Sequence, residues 1–139
     1  MFIRTCLLLV YSLLVACSPS AVRISFDGGE KPVSLQVELA KTTEELKKGL
    51  MHRKTLEPGT GMLFIFPDES KHYFWMKDTL IPLDMIFMNS EKKIVGVVKD
   101  AVPGSVKLLG VDVPSRYVLE VNSGESEQFG LKAGMRANW

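Results

Sequence analysis

The short run Phe74–Asp84 places a tryptophan, a lysine, two aspartates and a proline close together. An aromatic face beside a cation and a carboxylate suits a small polar ligand, a sugar for example, or a peptide. Trp75, Lys77 and Asp84 are therefore the candidate ligand contacts, with Arg53 and Glu120 as further contributors. On strand spacing Tyr73, Trp75 and Lys77 point one way, and His72, Phe74 and Met76 the other. Asp84 must be exposed, paired or capping backbone amides, because burying a lone carboxylate is very costly. The competing account is a core tryptophan with a structural ion pair, Lys77, Arg53 or Arg116 serving as the partner of Asp84.

Other chemistries have weaker footing. Asp84 and Glu120 could act as acid and base in a hydrolase of cell-wall or other polysaccharide, provided they face each other across a cleft. No G-X-S-X-G elbow is present. Gly59-Thr60-Gly61 lacks the Gly-Lys-Ser/Thr ending of a phosphate loop and reads as a turn. Met51, Met62, Met76, Met85, Met88 and Met135 could in principle hold Cu(I), with His52 or His72 assisting. Most lie in or beside apolar runs, where methionine fills gaps, so they read as core. No metal and no cofactor is expected.

A further candidate is Cys17. Cys6 to Ala16 is apolar apart from Tyr11 and Ser12. As a helix this run would measure roughly 16 Å, too short for a bilayer core about 30 Å thick. It fits the apolar region of a signal peptide. Leu14-Val15-Ala16-Cys17 resembles the lipobox of bacterial lipoproteins, whose cysteine is acylated on sulfur before cleavage. Ser18-Pro19-Ser20-Ala21 then reads as a polar tether. The expectation is an envelope lipoprotein held in the membrane through Cys17, facing the periplasm from the outer membrane in a two-membrane cell. Cys6 leaves with the leader and Cys17 becomes a thioether, which removes thiolate nucleophiles, disulfides and thiolate zinc sites. Losing Arg4 leaves basic and acidic residues equal in number. With no basic run, a nucleic-acid partner has little support, and an envelope glycan or protein is the expected partner.

These residues need elements to position them. Residues 1–16 are read as the leader, 17–30 as lipidated cysteine and linker, and 31–139 as one β-rich domain. Val33, Leu35, Val37 and Leu39 alternate with polar residues, as in a half-buried strand. Thr42 and Glu45 form a capping box for a short helix, with Glu44 and Glu45 early, Lys47 and Lys48 late, and Leu46 and Leu50 on one stripe. Met62–Phe66 is an apolar strand ended by Pro67, and Tyr73–Lys77 an aromatic strand. Met85–Met88 and Ile94–Val98 flank a polar hairpin turn. Tyr117, Leu119 and Val121 alternate, a helical stretch near Glu125–Phe129 follows, and Met135–Trp139 closes a sheet. The expected class is mainly β, a small antiparallel sandwich with one or two short helices.

Several blocks in order carry a resemblance. They are Gly49-Leu50-Met51-His52-Arg53, Gly61–Phe66, Phe74–Asp84, Arg116–Val121 and Gly130-Leu131-Lys132-Ala133-Gly134. Together they closely resemble the family called domain of unknown function 192, over about residues 33–138. The family usually has asparagine where Asp78 stands, and a glycine in the hairpin turn at Asn89–Lys93. The resemblance implies a jelly-roll-like β sandwich with a helix packed against it. It implies no activity.

Overall fold

The computed structural model describes residues 21–139. The leader, Cys17 and the first tether residues lie outside the described residues, so the expected processing and lipidation of Cys17 are not visible in it. The elements are β1 (Val22–Asp27), β2 (Val33–Ala40), α1 (Thr43–Lys48), β3 (Thr60–Ser70), β4 (Leu83–Met88), β5 (Ile94–Ala101), β6 (Ser115–Asn122), α2 (Glu125–Gln128) and β7 (Arg136–Asn138). The mainly β class with two short helices is as the sequence indicates.

The strands form one seven-stranded sheet in the order β5-β4-β6-β3-β2-β1-β7. Its two outer strands approach each other: Lys93 bridges Arg136, and Ile94 N–H donates to the Met135 carbonyl at 2.8 Å. The sheet is therefore curled on itself rather than split into two facing layers. Most pairs are antiparallel, but β2 and β3 run parallel, with Val37 beside Gly61 and Leu39 beside Leu63. A parallel pair needs a crossover, and α1 with the loop after it supplies one.

Strand alternation sorts the apolar residues onto two faces. One cluster draws on all seven strands, including Ile24, Leu35, Leu63, Ile86, Leu119 and Ala137, and fills the inside of the curl. The second lies on the outer face, where Met62, Phe64, Met85, Phe87 and Val118 are covered by Leu50, Met76 and Ile81. The outer cluster positions the site.

Three expectations need correction. β1 begins at Val22, inside the stretch read as linker 17–30, because Ile24 and Phe26 alternate into the inner core. Pro67 does not end β3, which continues to Ser70 through a register shift between Ile65 and Ser70. A residue without an N–H is tolerated where the ladder is already interrupted. Tyr73–Lys77 is not a strand of the sheet: only Phe74 makes a bridge, to Leu109. Its side chains nevertheless alternate as expected, with Met76 buried and Tyr73 and Trp75 exposed.

Candidate functional site

The capping box at α1 forms as its residues dictate: Glu45 N–H donates to Thr42 Oγ1 at 3.2 Å, and Thr42 N–H to Glu45 Oε2 at 3.0 Å. The helix ends at Gly49, whose φ of +46° is disfavoured for residues with a Cβ, and such a Cβ would sit 3.0 Å from the Phe64 ring. Past this turn, His52 N–H donates to the Asp78 carbonyl at 2.8 Å, joining the helix loop to the turn after Lys77. Asp78 has a φ of +55°, a left-handed conformation that aspartate and asparagine accept more readily than other side chains.

Segment 73–80 is held by a second loop, residues 102–109. Phe74 and Leu109 exchange backbone hydrogen bonds at 2.8 Å, Met76 N–H donates to the Ser105 carbonyl, and Gly104 N–H reaches the Met76 carbonyl. Between α1 and segment 73–80 lies a half-open cavity of about 500 Å³. Leu46, Leu50, Met51, Phe64, Phe66 and Phe74 contribute apolar wall. Phe64 and Phe74 meet edge to face at 5.3 Å, and His72 stacks on Phe66 at 3.6 Å. Trp75 is 46 % exposed beside it, with Lys77 Nζ 5.5 Å from its ring centre.

Glu120 also lines this cavity. It faces the outer side of β6, between Met62 of β3 and Met85 of β4. The strands meet closely there: a Cβ on Gly61 would stand 2.4 Å from the Glu120 carbonyl oxygen. Glu120 is 5 % exposed, and burial alone raises its pKa from 4.5 to about 8. No hydrogen bond or ion pair with another described side chain offsets that burial.

Asp84 stands apart from this cavity. It is fully buried and accepts from Asp100 N–H at 2.9 Å, Gly124 N–H at 3.0 Å, Ser126 N–H at 3.1 Å and Ser126 Oγ at 2.6 Å. Of the alternatives open to it, capping backbone amides is the one realised. It serves the first turn of α2, whose own N-cap, Gly124, has no side chain to do so. Asp84 is thus a brace for the strand end and not a ligand contact, which corrects its place among the candidates.

Arg53 is also elsewhere. Its guanidinium makes a bidentate pair with Glu38, both contacts 2.6 Å, which lowers the carboxyl's pKa and raises its own. The pair borders a separate shallow recess with Ala21 and Thr60. The structure therefore brings Trp75, Lys77 and Glu120 to one cavity and leaves Arg53 and Asp84 outside it. Phe66 and Lys48 join the cavity without having been singled out by sequence, and His72, considered there only as an aid to a copper site, joins it too. The alternation His72-Phe74-Met76 was the available signal for His72.

Asp84 pairs with Val121, and Glu120 with Met85, so the two carboxylates face opposite sides of the sheet. They share no cleft, and the pairing a polysaccharide hydrolase would need is absent. Among the described residues no group of three or more His, Cys, Asp and Glu could hold a metal ion. Met62, Met76, Met85, Met88 and Met135 are buried in the two cores. No described helix is long and apolar enough to cross a membrane.

Fold and site together define a small curled-sheet domain with an aromatic-walled cavity on its outer face. The chain belongs to the DUF192 family, described as "Uncharacterized ACR", which it matches over residues 24–139. A crystal structure of a protein of unknown function from Novosphingobium aromaticivorans DSM 12444 is 34 % identical, with a TM-score of 0.82, over 86 % of this chain and 85 % of that one. A crystal structure from Sinorhizobium meliloti 1021, described as a candidate transcription regulator, is also 34 % identical. Its TM-score is 0.83 over 87 % of this chain and 95 % of that one. No curated protein matches the chain.

Proposed function

We propose that this chain is a binding module of the cell envelope, without catalytic activity, held at the membrane by acylation of Cys17. Its ligand enters the cavity between α1 and segment 73–80 and rests above Glu120. The observation carrying this reading is Glu120, 5 % exposed, whose carboxyl makes no hydrogen bond or ion pair with a described side chain and lines a half-open cavity of about 500 Å³. An empty core site would be filled by apolar side chains. A polar group left unanswered beside open volume is what a ligand-binding cavity requires. The phenylalanine-rich wall favours a ligand with an apolar body over a bare sugar. The regulator description of the Sinorhizobium protein is not carried over, since 17 basic residues face 16 acidic ones and form no basic run.

The test is to purify the native chain from membranes, extract it with organic solvent and identify released small molecules by mass spectrometry. The wild type should release a molecule that is absent from Met51→Trp, in which an indole fills the cavity. A wild type that releases nothing, and gains no thermal stability from a broad compound panel, would overturn the reading.

A second reading, docking on another envelope protein, is favoured by one observation. Six of the seven exposed large apolar side chains among the described residues, Tyr73, Trp75, Leu80, Val102, Val106 and Leu108, lie on the two hydrogen-bonded segments 73–80 and 102–109, and the seventh is Val113. Such clustering marks interaction surfaces. Val106→Asp should disrupt that docking and leave the cavity's ligand bound.

A further inference from the structure

Glu120 decides more than the position of the ligand. Its neighbours across the ladder are Met62 and Met85, whose thioethers are at best weak acceptors. The charged and titratable groups lining the same cavity are Lys47 and Lys48 from α1, and His72, Tyr73, Lys77 and Asp78 from the facing segment. None makes a hydrogen bond or ion pair with the Glu120 carboxyl. A buried carboxyl without a counter-charge keeps its proton and presents one O–H donor beside a carbonyl acceptor.

We propose that the cavity selects an uncharged head group that donates and accepts at once, a primary amide or a lactam, carried on an apolar body. The inference rests on the reading of this cavity as a ligand site. The Glu120 carboxyl O–H donates to the ligand carbonyl, and the ligand N–H donates to the other oxygen of that carboxyl. Both buried groups are then satisfied without creating a charge. An ammonium head would have to pass Lys47, Lys48 and Lys77, shed its hydration among phenylalanines, and displace the Glu120 proton. A carboxylate head is held by those lysines at the mouth and leaves Glu120 unanswered.

Three probes share one body and differ only in the head: 4-phenylbutanamide, 4-phenylbutylammonium and 4-phenylbutanoate. Calorimetry on the solubilised full chain at pH 6.5, with a protein-free control, should show the amide binding at least about tenfold tighter than either ion. The amide's affinity should stay level up to about pH 8, where burial places the Glu120 pKa, and fall about tenfold per pH unit above it. Glu120→Gln should keep the affinity within about threefold and abolish the pH dependence, whereas Glu120→Leu should lose about tenfold or more. The pH series uses the wild type and does not depend on how the variants fold. Tightest binding by either ion, or amide binding indifferent to pH, overturns the inference and leaves the cavity a ligand site. No binding by any probe overturns the inference, and only if the native chain also releases nothing and the compound panel gives no stabilisation does the cavity reading fall with it.

Discussion

Asp84 on β4 and Glu120 on β6 stand one step apart in the ladder, yet one faces the inside of the curled sheet and the other its outer surface. Asp84 has four hydrogen-bond donors around it, and Glu120 has none among the described side chains. One carboxyl is tied into the fold by its donors and the other faces the cavity.

Asp84→Ala should lower stability by about 3–5 kcal/mol, because it strands a backbone N–H of β5 together with two N–H groups and a hydroxyl at the start of α2. Asp84→Asn, which retains one acceptor oxygen, should lose less. Urea unfolding of both variants decides the matter, and an unchanged midpoint for the alanine variant would remove Asp84's bracing role.

Glu120 should make wild-type stability fall as pH rises. Below about pH 4.5 the group is protonated both folded and unfolded, and nothing is lost. Between there and about pH 8 the unfolded chain releases the proton while the folded chain retains it, which favours unfolding. Glu120→Gln should therefore match the wild type near pH 4 and exceed it by up to about 5 kcal/mol at pH 8.5. Denaturant curves at the two pH values test this, and equal wild-type and variant stability at both would show the carboxyl ionises freely.

Trp75→Ala separates binding from folding. A buried tryptophan truncated to alanine loses about 3–5 kcal/mol. Trp75 is 46 % exposed, so the loss should be nearer about 1 kcal/mol while ligand affinity drops. A loss in the core range, with affinity intact, would assign Trp75 to packing.

Cys17→Ala should accumulate unprocessed or soluble chain, seen by fractionation and intact mass. Two acyl chains hold far more firmly than one, at about 0.8 kcal/mol per buried methylene. Mature-size product recovered normally in membranes would contradict the anchor.

Much of the fold was legible because its signals are local. The alternation in Val33–Leu39, the capping box at Thr42 and Glu45, and the hairpin around Asn89–Lys93 each reappear where their residues lie. The hairpin turn closes with Asn89 Oδ1 accepting from Glu91 and Lys93 N–H. β1 was missed because six residues with a charge in second place, between a tether and paired glycines, look like linker until β2 and β7 are beside them. The parallel β2–β3 register was equally hidden, since two apolar strands joined by a helix and a loop do not state their relative direction.

The candidate residues divided in the same way. Their types announced an aromatic, charged neighbourhood, and Trp75, Lys77 and Glu120 do gather there. Nothing in the spelling told Asp84 from Glu120, two acidic residues each beside apolar strand positions. Side chains on a strand alternate, so moving the pairing by one residue exchanges inside for outside. Composition, most of the strands and the short-range caps were settled by the chain itself. Which carboxyl met backbone donors and which met an open cavity was settled by strand pairing and curl, because burial and hydrogen-bond partners exist only once distant segments have come together.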